Sequence, residues 1–203
     1  MTPPRFFLEG GTEISRAEAL FMVRPLDAVG ATSRTTLAAI IRAWTAPFFG
    51  QPVITHWEQV LAAAPIPVDL SAEPEGLIPR RLARLFHLPG SRGEVWRCEA
   101  AAPLIPKAAE LLARWAAQFS AGYDIAGAIR SADAADRVLG PLPLRPRPRA
   151  TWCSQSVFLF SRTLGPDIDI APGYDAEADP LDPRELHELI KQRAGWARIL
   201  RWE

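Results

Sequence analysis

Cys153 lies in the stretch Ala150-Thr-Trp-Cys-Ser-Gln-Ser-Val-Phe158, just ahead of the apolar run Val157-Phe158-Leu159-Phe160. Thr151 is a good N-cap and Gly165-Pro166 a good stop, so the stretch predicts one short helix with Cys153 in its first turn. The unpaired N–H groups and positive dipole end of a first turn favour thiolate over thiol. A thiolate there suits covalent catalysis if a base is at hand. The alternative is a small buried thiol on the inner face of the helix.

A cysteine nucleophile needs a base, and the base needs a polar group to hold its ring. Three histidines are available. His187, between charged neighbours on the last helix, reads as a surface residue. His87 falls in a loop. His56 falls within a strand, residues 53–61, sharing a face with Ile54, Glu58 and Val60 if the strand has no bulge. Cys98, beside Arg97 and Glu99 in another strand, has no such setting. These two cysteines are too few for a disulfide scaffold, and neither they nor the histidines show metal-ligand spacing. No metal and no cofactor is expected.

The elements that must position these residues follow from the patterning. Residues 1–17 read as an irregular lead-in, and residues 20–29 as a strand pair or strand-turn broken at Pro25. A helix is expected over residues 36–44, with Leu37, Ile40, Ile41 and Trp44 at helical spacing. Strands follow at residues 53–61 and 66–71, while residues 77–86 fit helix and strand equally. Another strand is expected at 94–99, then an amphipathic helix from Pro106 to Phe119 carrying Ala109, Leu112, Trp115, Ala116 and Phe119. Residues 141–149 must be extended. Arg145, Arg147 and Arg149 there suit a small anion site or a solvated loop. Asp182-Pro183 opens a last helix, and residues 196–202 read as a closing strand.

The 203 residues include 48% apolar side chains, enough for a core. Lys plus Arg and Asp plus Glu number 23 each, so nothing calls for nucleic acid or an anionic membrane as partner. The apolar patch near the N-terminus is too short for a signal peptide and no run is long enough to span a bilayer, which makes the cytoplasm the default address.

The order of these segments resembles a known family. Thr55-His56-Trp57 on a strand, an acidic residue on the next strand, an amphipathic helix, Gly122-Tyr123-Asp124, and Trp152-Cys153-Ser154 opening a helix resemble the circularly permuted branch of the NlpC-type papain-like hydrolases. That branch includes YiiX-like bacterial proteins and is similar to the lecithin retinol acyltransferase group. Arg24-Pro-Leu-Asp27 and Ile41-Arg42 occupy the places of its Pro-Gly-Asp-like turn and Ile-Arg pair. The likeness runs through about residues 20–165. It implies an α+β, papain-like fold: a small antiparallel sheet packed on helices, with the histidine strand before the cysteine helix. One domain, 1–203, is expected, with a helix-strand extension at 166–203.

By the same resemblance Cys153 is the nucleophile, His56 its base, Asp69 the ring-orienting residue with Ser71 behind it, and Tyr123 an oxyanion donor beside the Cys153 N–H. The implied reaction is thiol-dependent cleavage or transfer at a peptide-like amide, such as a cell-wall stem peptide, with a lipid acyl chain as second choice. Three residues depart from the family pattern: Gln155 for Glu, Leu26 for Gly, and Glu58 in a usually apolar strand. Gln155 and Glu58 favour the competing reading, a binding or accessory module with an idle cleft.

Overall fold

The computed structural model describes residues 3–32, 54–63, 65–73, 75–87, 90–119, 122, 124, 151–175 and 181–203. Its elements are β1 (Phe6–Leu8), β2 (Glu13–Ile14), α1 (Arg16–Met22), β3 (Ala28–Ala31), β4 (His56–Ala62), β5 (Val68–Glu73), β6 (Gly76–Arg81), α2 (Ala83–His87), β7 (Gly93–Cys98), a 3₁₀ segment (Glu99–Lys107), α3 (Ala108–Gln118), α4 (Cys153–Thr163), α5 (Pro183–Gln192) and β8 (Trp196–Trp202). The architecture is α+β. Among the described residues, eight strands form one open sheet in the order β2-β1-β8-β7-β3-β4-β5-β6, and every pairing is antiparallel.

Helices cover both faces of this sheet, and that explains the strand patterning. Trp57, Leu112, Trp115, Phe158, Leu186 and Ile190 join α3, α4 and α5 to one face. Ala19, Val29, Val60, Leu85, Phe86 and Trp202 join α1 and α2 to the other. β3 is buried at all four positions, so no polar face alternates with an apolar one. The ring of Phe86 lies 4.8 Å from Trp202 and 5.0 Å from Phe6, which closes the second layer.

Several expectations need correcting. The span 20–29, expected as a strand pair or strand-turn, begins inside a helix, Arg16–Met22, which Ser15 and Glu18 start with a reciprocal capping box, and reaches a strand only at Ala28. The lead-in contains β1 and β2. β8, at the end of the expected extension, lies inside the sheet between β1 and β7, where Leu200 and Trp202 are almost fully buried. Residues 77–86 contain both a strand and a helix. The amphipathic helix is regular only from Ala108, since Pro103 and Pro106 hold the turns before it in 3₁₀ form. The last helix matches its signals: Asp182 accepts from the N–H groups of Arg184 and Glu185 at 2.7 Å, with Pro183 at the first position. The expected helix at 36–44, Ile41-Arg42 and the arginines at 145–149 lie outside the described residues.

Gly93 marks the tightest point of the sheet. A Cβ built there would collide with the Trp202 ring and the Gly30 carbonyl. Gly93→Ala is therefore expected to cost about 1–3 kcal/mol, as overpacking does, and to lower the urea midpoint without changing m.

Candidate active site

Cys153 is the first residue of α4, a helix buried around most of its circumference. Trp152, not Thr151, takes the N-cap position, and no side chain caps the helix there. Thr151 instead pairs through its backbone, its carbonyl accepting from Asp124 N–H at 2.9 Å. The start of α4 is fixed by the Leu181 carbonyl, which accepts from Trp152 Nε1 at 3.0 Å and Ser154 Oγ at 2.8 Å. Trp57 Nε1 donates to the Pro183 carbonyl at 2.8 Å, tying β4 to α5.

His56 is the first residue of β4, so its ring meets groups from both layers. Its Nε2 lies 2.7 Å from Glu58 Oε1 and 3.4 Å from Ser71 Oγ. With Nε2 engaged by Glu58, Nδ1 is the nitrogen left to face Cys153, which lies near enough for each group's charge to act on the other. Burial opposes charge on both partners. The Cys153 and Glu58 charges nevertheless hold His56 well above its ordinary value. Burial likewise tends to raise the Cys153 thiol, but the His56 charge, its hydrogen bond and the Trp57 and Ser154 N–H groups lower it overall. The pair thus favours thiolate and imidazolium over two neutral groups.

Asp69 does not touch the ring. Glu58, two residues along the same strand, reaches Nε2 first, and Asp69 stands behind it from β5. Arg84 on α2 donates to Glu58 Oε1 and lies 3.5 Å from Asp69 Oδ1. Glu58 and Arg84 were not singled out as site residues from sequence. The signal for Glu58 was its two-residue spacing from His56; Arg84 had none. Tyr123 lies outside the described residues.

The other thiol and histidines are engaged elsewhere. Cys98 is buried, which pushes its thiol up, and it faces the Asp167 carbonyl at 3.7 Å. His187 is not a surface residue: its Nε2 meets Glu94 at 2.8 Å, and its ring packs near Trp57 and Trp96. Arg16 donates to His87 Nδ1 at 2.7 Å. A shallow surface depression is lined by Leu26, Asp27, Arg97 and Ile105, without His56 or Cys153. It contains the turn that the resemblance assigns to a glycine. Leu26 takes φ 72° there, the left-handed region glycine adopts most easily, while Asp27 is held by Arg97 at 2.7 and 2.9 Å.

No family model and no curated protein matches the sequence. Among solved structures, the crystal structure of the metalloprotein YiiX from Escherichia coli O157:H7 is similar. It gives a TM-score of 0.51 at 15% identity, covering 85% of this chain and 82% of that one. The fold is YiiX-like. The metal named for YiiX finds no fitted ligand set here: among the described residues no group of three or more His, Cys, Asp or Glu is arranged to hold one. The carboxyl groups behind His56 converge on Arg84, whose guanidinium already supplies positive charge. Among the described residues, no helix is long and apolar enough to cross a membrane.

Proposed function

We propose that this protein is a thiol-dependent hydrolase or acyltransferase of the circularly permuted NlpC-type, papain-like class, related to the lecithin retinol acyltransferase group. Residues 1–203 form its single domain, and its substrate is a peptide-like amide. The observation that supports this reading is the placement of Cys153 at the start of α4 beside His56 at the start of β4, with Glu58 Oε1 2.7 Å from Nε2 of the ring. Cys153 thiolate attacks the carbonyl carbon, forming the C–S bond. The His56 imidazolium gives its proton to the leaving amine as the C–N bond breaks. His56, now neutral, takes a proton from water or an acceptor amine. That nucleophile displaces the thiolate from the thioester and restores the ion pair. Glu58 keeps the ring in one tautomer and orientation throughout.

An idle binding module of the same fold is the second reading, favoured by the 2% exposure of Cys153. Incubation with p-nitrophenyl acetate and with a panel of peptidyl amides, followed by peptide mass analysis, separates the two. An acyl adduct on Cys153, absent in Cys153→Ala, is expected. A protein that hydrolyses none of these compounds and carries no adduct would be the idle module.

A further inference from the structure

Behind His56 lie two buried carboxyl groups and one guanidinium. Glu58 and Asp69 are both 0% exposed. Glu58 uses Oε1 for His56 and Arg84, while Asp69 turns Oδ1 towards Arg84. The remaining oxygens, Glu58 Oε2 and Asp69 Oδ2, are buried and find no donor among the described residues. The two carboxyl groups nevertheless come from paired strands and meet the same Arg84 guanidinium, Glu58 directly and Asp69 at 3.5 Å. Two carboxylates so placed would repel and leave two orphaned acceptors. One proton between them turns one oxygen into a donor and satisfies both.

We propose that Asp69 carries that proton and donates it to Glu58 Oε2, so that Asp69, Glu58 and Arg84 form a neutral unit presenting one carboxylate charge to His56. Asp69 and Arg84 are then positioning residues that act through Glu58. Their bearing on catalysis rests on the proposed thiol chemistry, whereas the proton does not.

Among the described residues, the charged groups around Asp69 act in both directions: Glu58 of β4 favours the proton, while Arg84 of α2 and His56 of β4 oppose it and are outweighed. Cys153 meets His56 from α4. Glu73, on β5, is occupied by Ser71 Oγ at 3.0 Å and by Arg80 of β6 at 3.5 Å. Burial and then the Glu58 charge push Asp69 up to about 10. Against the effect of burial, His56, the Asp69 hydrogen bond and Arg84 hold Glu58 well below the usual carboxylate range.

The proton has a signature in stability. An unfolded Asp loses its proton near about pH 3.9, so at neutral pH the folded state binds one proton more than the unfolded state. Stability then falls as pH rises, and the unfolding constant grows about tenfold per pH unit. Glu58 has the opposite sign, but its contribution is complete above its unfolded value of about 4.3. The His56–Cys153 pair holds one proton folded and one unfolded between about pH 6.5 and 8.5, and cancels there.

Urea unfolding of the full chain across that window, compared with Asp69→Asn, tests the assignment. Asn keeps a donor but cannot ionise. The ratio of native to variant unfolding constants is expected to rise about tenfold per pH unit; a flat ratio would overturn the proposal. If Asp69→Asn fails to fold, proton release on unfolding the native protein near about pH 7.5 decides, with one proton expected and none overturning it. The positioning role has its own readout. Asp69→Asn should retain more Cys153 alkylation at about pH 6 than Asp69→Ala, since only Asn still donates to Glu58; equal rates would remove that role. Should Cys153 prove inert in the native protein, the stability slope would still report the proton, so the two failures are distinguishable.

Discussion

At about pH 6, iodoacetamide should alkylate Cys153 in the folded protein on the order of tenfold or more faster than Cys98. Both thiols are buried to the same degree, 2% and 3% exposed, so access does not separate them. Charge does. An ordinary thiol of pKa about 8.5 is under about one per cent thiolate at that pH. Against burial, the His56 charge and two backbone N–H groups lower Cys153 overall, whereas at Cys98 burial, with the Asp167 charge, outweighs the Ala100 and Ala101 N–H groups and Arg193 and raises the thiol. Full ionisation of Cys153 would raise its reactive fraction by up to about 300-fold, and partial ionisation by proportionately less. A less basic thiolate is also a weaker nucleophile, which takes back part of that gain. His56→Ala removes the imidazolium and should cut the Cys153 rate at that pH towards that of Cys98. The ratio should shrink as pH rises past about 9, because Cys98 then ionises too. Equal, slow labelling of both thiols, indifferent to His56→Ala, would mean that Cys153 is only a packed residue.

The parts of this site differ in how visible they are in the sequence, and the difference is physical. Cys153 at a helix start is a local feature, set by Trp152-Cys153-Ser154 and the apolar run behind it, so reading a few residues suffices. Its cap is not local: Thr151 has a good capping side chain, but its backbone is committed to pairing beside Asp124, and the Leu181 carbonyl fixes the helix from elsewhere. The helix at residues 16–22 carried a legible signal in Ser15 and Glu18 that the apolar run at 20–23 outweighed. Glu58 looked like a flaw in the histidine strand because an acid there has no use on an apolar face. Its use depends on Arg84, which reaches it from α2 across a sheet register that no local pattern encodes. His187 was misread for the same reason: its charged neighbours suggested solvent, while Glu94 on β7 draws the ring inward.

Glu58→Gln should lower the rate of Cys153 alkylation at about pH 6, and any acyl-transfer activity, by roughly ten- to hundredfold. Glu58 Oε1 is the acceptor for His56 Nε2 at 2.7 Å, and a hydrogen bond to a charged group is worth about 1.5–3 kcal/mol. At about 1.4 kcal/mol per factor of ten, that is the stated loss. Glutamine keeps the shape and an acceptor oxygen but not the charge, so His56 loses one of the two charges that hold it protonated. The thiolate of Cys153 loses part of its counter-ion in turn. The fold should tolerate the change. Arg84 already lies 3.5 Å from Asp69 Oδ1, and with Glu58 neutral only burial opposes ionisation of Asp69, against the pull of Arg84, so the guanidinium keeps that carboxyl group as a partner. Glu58→Leu leaves Arg84 the same Asp69 partner but offers it no polar atom at residue 58, and it removes the acceptor for His56 Nε2, which among the described residues keeps only Ser71 Oγ at 3.4 Å. It should lower the urea midpoint well below that of Glu58→Gln. Alkylation of Glu58→Gln at the native rate, with the fold intact, would mean that the ring is held by Ser71 and that the buried acids serve packing alone.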